Sequence, residues 1–380
     1  MSIDPTVAAT PWFFATMWLE NRWLQRRPDD HTLDAARFER RDTRANLALA
    51  VGSVVVPLAY SQVRPHLEVG RGKAAKPLLT LAAAGAAIAT VADAVSTRRR
   101  RSRRVAAAPD SDRPTTPTER DATERDTVER VGGTAAAAAI GIATVVASAT
   151  WTERTSPQRL WARRRGDLGT GIAAWTLAIV GWDFIYYWNH RLQHETRFLW
   201  AIHVVHHSSE RYNLSVALRQ PVLDIVGIFV PNGLLAYLGV RPRLIELSRS
   251  INLVYQYWVH TEAIDTMGPF EGPMNTPSYH RVHHGVNPNY IDRNHGGIFI
   301  VWDRLFGTFR KEEERPTYGL TKNLNTFSLP AIAFREYADI MRDIAQSRRW
   351  SERLSYAYRG PGWAYGQHAR RAVPAPGPTT

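Results

Sequence analysis

The sequence predicts an all-α fold, an integral membrane helical bundle with a histidine-rich helical cap facing the cytoplasm. Three observations predict it. Charged residues are 22% of the 380-residue chain but sit in blocks separated by uncharged apolar stretches. One of these, Gly132 to Thr150, is 19 residues long, enough to cross a hydrocarbon core as a helix. Ten of the 13 histidines fall within the 106 residues from His190 to His295, at spacings that suit a helix.

The candidate spans, in chain order, are Pro11 to Leu24, Leu47 to Tyr60, Pro77 to Val95, Gly132 to Thr150, Leu168 to Trp188, Val222 to Val240 and Leu244 to His260. The first is weak, and Pro11 to Leu19, cut short by Glu20 and without a small-residue cleavage site, does not read as a cleavable signal peptide. Asp224, Pro231, Glu246 and Arg249 make the last two spans imperfect, as expected where helices pack around a site or lie half-buried at an interface. The Leu168 span and the Val222/Leu244 hairpin are expected to be the best defined. Between Arg98 and Arg130, an RRRRSRR block and an Asp-, Glu-, Arg-, Pro- and Thr-rich run have no apolar face and read as a solvated linker. The expected organisation is therefore N-terminal membrane helices over 1–97, a charged cytoplasmic linker over 98–130, a membrane domain over 131–330, and a C-terminal helix with a disordered tail over 331–380. Placing the arginine block in the cytoplasm puts 189–221 and 261–380 on the cytoplasmic side, although Arg154, Arg159 and Arg163 to Arg165 then occupy an outer loop against the positive-inside tendency.

Composition narrows the chemistry. The chain has no cysteine, which excludes a disulfide framework, thiolate metal sites and a thiol nucleophile. Its net charge of +13 is nearly all arginine; with no nucleic-acid motif present, arginine at the ends of membrane spans is the better account, and no nucleic-acid partner is expected. Any metal must be held by His, Asp or Glu.

The histidines are patterned. His190 and His194 form H-x3-H; His203, His206 and His207 form H-x2-H-H; His280, His283 and His284 repeat it; His260 and His295 stand apart. Residues i, i+3 and i+4 share a helix face, so each cluster is expected to aim its imidazoles at one point. A lone H-x3-H is commonplace, whereas the repeated H-x2-H-H is not. Eight clustered imidazoles exceed what one ion needs, and no H-E-x-x-H zinc motif occurs. Two irons sharing nine or ten imidazoles account for the number and leave positions for dioxygen. His31, His66 and His368 lie outside the pattern and read as ordinary histidines.

These residues resemble the membrane-bound fatty acid hydroxylase and sterol desaturase superfamily. Asp183-Phe-Ile-Tyr-Tyr-Trp-Asn-His190-Arg-Leu-Gln-His194 is similar to its D-x-x-Y-Y-x-x-H-R-x-x-H, and Leu199-Trp-Ala-Ile-His203-Val-Val-His206-His207-Ser to its L-W-x-x-H-x-x-H-H-S. Asn275 to Gly285 and Trp302 to Phe309 resemble the bacterial branch related to alkylglycerol monooxygenase; the likeness covers roughly 168–324. One departure is Asn294-His295-Gly296-Gly297, where many such sequences have Asn-Tyr-Gly, so His295 is either a ligand or a substituted neighbour.

The resemblance implies a non-haem di-iron monooxygenase in which His190, His194, His203, His206, His207, His260, His280, His283, His284 and His295 hold two irons. Such an enzyme uses dioxygen and electrons from an external donor, an electron-transfer protein or other reductant, to hydroxylate a membrane lipid. The alternatives are a desaturase or ether-cleaving enzyme on the same site and, from another class, a metal transporter, which would place its ionisable groups nearer mid-membrane. Among nearby carboxylates Asp183 is the favoured partner for a ligating imidazole, being about two turns before His190; its competing role is a salt bridge to Arg191 or Arg219. Tyr186, Tyr187, Trp188, Tyr257 and Trp258 are expected along an apolar channel for the lipid chain, although an interfacial aromatic belt explains them as well.

Overall fold

The computed structural model describes residues 4–67, 69, 73–106, 127–222 and 229–372. Its helices are α1 (Pro5–Ala8), α2 (Thr10–Gln25), α3 (Arg40–Leu67), α4 (Ala75–Ala106), α5 (Thr127–Arg154), α6 (Pro157–Trp161), α7 (Ile172–Glu195) and α8 (Arg197–His207). There follow α9 (Gly233–Tyr237), α10 (Pro242–Trp258), α11 (Pro277–His284), α12 (Val301–Phe306), α13 (Leu329–Gln346), α14 (Trp350–Tyr358) and α15 (Pro361–Ala372). Among the described residues the only β pairing is two isolated bridges, Met274 with Phe299 and Gly285 with Tyr318, so the fold is all-α as expected.

Among the described residues, three helical stretches are long and apolar enough to cross a membrane: His31–Gln62, Ala75–Ser102 and Thr127–Arg154. The chain is thus a membrane-associated helical protein. The Leu168 and Leu244 segments form α7 and α10 but are not among those three. Nor is Val222 to Val240 one helix. Residues 223–228 lie outside the described residues, and beyond them only the five-residue α9 forms after Pro231. The reason is local: a proline lacks the N–H a helix needs. Asn189 stands in for the lost ladder, accepting from the Phe229 and Val230 N–H groups and donating to the Ile185 and Val230 carbonyls. At the arginine block α4 continues helically to Ala106, since arginine favours a helix. The remaining linker at 107–126 and the tail from 373 lie outside the described residues.

The chain divides into two compact units, 1–65 with 151–336, and 66–150 with 337–380. In the first, Ala174, Ala178, Trp182 and Ile185 of α7 pack on Leu235 and Ala236 of α9 and on Leu244 and Ile245 of α10. A second apolar cluster joins Ala45 and Leu49 of α3 to Val205 of α8 and Ile332 of α13. Together these clusters set α7, α8 and α10 around one polar interior. In the second unit α4 and α5 approach closely through small residues: a Cβ on Gly85 would lie 3.0 Å from the Ala135 carbonyl oxygen. There Arg353, fully buried, forms a bidentate pair with Asp93.

Candidate metal centre

The clustered histidines gather inside the first unit in two groups, each with one ring nitrogen per residue within 4.8 Å of the others. One holds His190, His194, His203, His207 and His283; the other holds His206, His260, His280 and His284. Helix geometry explains the partition. Residues i and i+4 differ by about 40° around a helix axis, whereas i+3 and i+4 differ by about 100°. Thus α8 sends His203 and His207 to the five-membered group and turns His206 to the other. Helix α11 does the reverse, sending His280 and His284 to the four-membered group and His283 to the five-membered one. Each H-x2-H-H motif therefore serves two points, not the single point expected of it. Helix α7 adds His190 and His194, and His260 follows α10.

Four of these nine rings commit their Nδ1 atom to a backbone carbonyl. His190 Nδ1 donates to the His295 carbonyl (2.8 Å), His283 Nδ1 to that of Arg293 (2.9 Å), His260 Nδ1 to that of Gln256 (2.7 Å) and His206 Nδ1 to that of Arg219 (3.3 Å). A carbonyl only accepts, so each of these rings carries its hydrogen on Nδ1 and a lone pair on Nε2. Yet His206 and His260 bring their Nε2 atoms to 3.1 Å, and His190 Nε2 lies 2.9 Å from His203 Nε2. For His206 and His260 that means two lone pairs face to face, an arrangement a cation between them makes favourable. The Nε2 atoms of His194, His283 and His284 are buried without a hydrogen-bond partner among the described residues. Burial foremost, and neighbouring imidazoles next, push His203, His207, His283 and His284 well below the usual imidazole range, keeping them neutral. Neutral, convergent nitrogens with their outer N–H groups tied to carbonyls fit a pair of metal ions.

The loop after α11 does most of the orienting. Asp292 and Asn294 both have φ of 56°, a left-handed conformation that these two residue types tolerate. It aims the Arg293 and His295 carbonyls at His283 and His190 and sets an Asp292 oxygen 3.5 Å from His194 Nδ1. Asp303, on α12, accepts from the His295 and Gly296 N–H groups and from Thr308, and burial raises its carboxyl to about 6. Asn294 pins the same loop to the Tyr279 and Arg310 carbonyls.

Two expectations about single residues change. Asp183 touches no imidazole: it accepts from Asn252, the Ile298 and Phe299 N–H groups and Trp302 Nε1. With four donors converging on it, the carboxylate clamps the segment after Gly297, where a Cβ would come within 2.7 Å of its oxygen. It pairs with neither arginine, because Arg191 bonds Glu195 and Arg219 bonds Asp42. His295 is fully buried with its ring centroid 5.0 Å from that of His194, but it stands outside both convergent groups, and neither ring nitrogen has a hydrogen-bond partner among the described residues. Asn189, Asn252 and Asn294 were not singled out from sequence, since isolated asparagines carry no spacing signal.

A cavity of about 350 Å³ opens onto both groups, lined by His203 of one and by His206 and His260 of the other. Its remaining wall is mainly apolar, with Phe13, Val54, Leu218 and Leu253, and carries Gln193 and Arg249. Of the aromatics expected along a channel, Tyr186 and Tyr257 line it. Tyr187 is instead buried against Thr308, Trp188 packs on Phe306, and Trp258 faces a separate groove.

Fold and site together define a membrane-associated helical protein with a polyhistidine centre. Residues 175–308 match the family model described as fatty acid hydroxylase, in line with the superfamily the motifs resemble. Among known proteins, the chain is 46% identical over 193 residues to alkylglycerol monooxygenase of Danio rerio and 45% identical over 193 residues to that of Homo sapiens. Each alignment covers 51% of this chain and 43% of the relative, so the chain spans less than half the length of these proteins. An ornithine lipid hydroxylase of Rhizobium tropici is 29% identical over 146 residues, covering 35% of this chain and 40% of that one. No solved structure matches significantly.

Proposed function

We propose that the protein is a di-iron lipid monooxygenase, with the two imidazole groups holding one iron each and the adjoining cavity taking an alkyl or acyl chain. The observation that carries the reading is the position of the cavity: His203, His206 and His260 form one of its walls, and apolar side chains form most of the rest. A hydrocarbon chain offers no acidic proton and no electrophilic carbon, so chemistry on it requires an oxidant. Bound iron would supply the reduction of dioxygen and the oxidising power for a C–H bond. The overall reaction consumes lipid, dioxygen, two electrons from an external donor and two protons, and yields hydroxylated lipid and water.

The protein's own part is placement. Carbonyl bonds at Nδ1 of His190, His206, His260 and His283 hold those rings in one tautomer and orientation. Phe13, Val54, Leu218 and Leu253 align an apolar chain and keep bulk water away from its reacting carbon. On this reading the polyhistidine centre faces the cytoplasm. The similarity to alkylglycerol monooxygenase and ornithine lipid hydroxylase supports a lipid substrate and oxygen insertion.

The test is to purify the protein in mild detergent, measure metal, and supply reductant, labelled dioxygen and alkyl lipids. The expected result is two irons per chain and label in an alcohol, or in an aldehyde trapped before exchange. One tight zinc without iron would overturn the di-iron assignment. A product lighter by two hydrogens and free of label would make the enzyme a desaturase on the same site.

A further inference from the structure

Tyr257 lines two separate spaces, the cavity beside the histidines and an open groove of about 530 Å³ along α2. The groove is walled by Trp12, Trp18, Trp23, Leu214 and Trp258, and Arg22 and Arg26 stand at its far end. Trp18 and Leu19 are more than half exposed, at 59% and 57%, so its rim is an apolar surface. From Trp12 to Arg26 is about 21 Å at the helical rise, close to one leaflet's hydrocarbon of about 15 Å plus a head-group layer. The partition between the two spaces is thin. It consists of Tyr257 packed on Phe13 at 4.1 Å between ring centroids with the rings tilted by 30°, its hydroxyl bonded to the Phe13 carbonyl (2.7 Å) and Thr16 (2.9 Å). Phe13 itself faces the cavity, while Trp12 and Thr16 face the groove.

We propose that this groove is the entry site for the lipid, taking one hydrocarbon chain along α2 with a phosphate-bearing head group at Arg22 and Arg26, and that Tyr257 is the gate to the metal-side cavity. The inference rests on the monooxygenase reading for what happens beyond the gate. It stands on its own for where the lipid binds. The tryptophans give the chain a rigid apolar trough. The two arginines, one turn apart and both exposed, match a phosphate better than an uncharged head group. Opening requires only that Tyr257 give up its bonds to α2, at the place where that helix touches both spaces.

The test uses the full chain in phosphatidylcholine vesicles with an ether phospholipid carrying a mid-chain diazirine, and maps photolabelled peptides by mass spectrometry. Label is expected on α2 around Trp12 to Leu19 and on the cavity face of α10 around Leu253. Thr16→Trp, which fills the groove, should abolish the Leu253 label. Arg22→Gln with Arg26→Gln, both on the surface and compatible with folding, should weaken labelling by the phospholipid about tenfold, the scale of one lost charge-assisted bond. The same double variant should leave labelling by an uncharged diazirine alkylglycerol unchanged. Undiminished Leu253 label in Thr16→Trp, equal loss for both lipids in the arginine variant, or crosslinks from the groove to a second copy of the chain would overturn the route. Label at both positions without oxygenated product, when iron, reductant and dioxygen are also supplied, would sink the oxygenase reading and leave the route standing.

Discussion

The two imidazole groups are built from the same parts and differ in where those parts lead. The five-membered group draws an i, i+4 pair from each of α7 and α8, with His283 in addition, and the loop carrying Asp292, Arg293 and His295 backs it. The four-membered group has one such pair, His280 and His284, plus His206 and His260, and it puts two of its four rings on the cavity wall. The five-membered group puts only His203 there. Fewer ligands beside an apolar cavity leave more room for reactants, and more ligands backed by a clamped loop hold an ion more firmly. On the proposed reading, nearly symmetric motifs serve unequal roles, the four-membered centre nearer the substrate and the five-membered one mainly supporting it.

The largest expected effect tests whether the groups are independent sites. His283→Ala and His284→Ala, neighbours in sequence but members of different groups, should each abolish turnover and each release one of the two irons, as read by elemental analysis. Retention of both irons in either variant would break the two-centre picture. Next comes Asp303→Asn, which turns one acceptor oxygen into an NH2 donor and so leaves either the His295 or the Gly296 N–H without its acceptor. It should weaken metal binding about 10- to 100-fold at the five-membered group, measured by competition with a chelator, and leave the other group unchanged.

A smaller effect is expected at His295. Its carbonyl holds His190 while its ring lies outside both groups, so His295→Tyr should keep two irons and most activity. Complete loss of one iron would make the ring a ligand and the five-membered group six. The smallest effect lies away from both groups. Arg241 and Asp167 form a bidentate pair in which both side chains are more than a third exposed. Arg241→Gln should cost no more than about 1 kcal/mol of stability by thermal melting and leave metal content untouched.

Much of this was legible beforehand, for identifiable reasons. Periodicity is local, so H-x3-H and the paired H-x2-H-H announced helices with imidazoles on one side, and α7, α8 and α11 carry them. The absence of cysteine limited the ligand chemistry, and the apolar runs Pro77 to Val95 and Gly132 to Thr150 marked two spans that lie within the membrane-length helices Ala75–Ser102 and Thr127–Arg154. Val222 to Val240 misled because average apolarity does not register what a single proline does to a hydrogen-bond ladder, nor that Asn189 some forty residues away repairs it.

The inventory is a property of the sequence: which side chains could bind metal, that they sit on helices, and which stretches are apolar. Assignment belongs to the tertiary structure. Helical spacing says that His203, His206 and His207 lie near one another, but the 100° between His206 and His207 becomes two destinations only once α11 packs opposite with the reverse pattern. Asp183 shows the same limit. Its distance from His190 along α7 suggested a partner on its own helix, whereas its four donors come from Asn252 and from 298–302, brought there by contacts between residues remote in sequence. A hydrogen bond has a strict geometry and no sequence range, so only the folded chain decides which donor meets which acceptor.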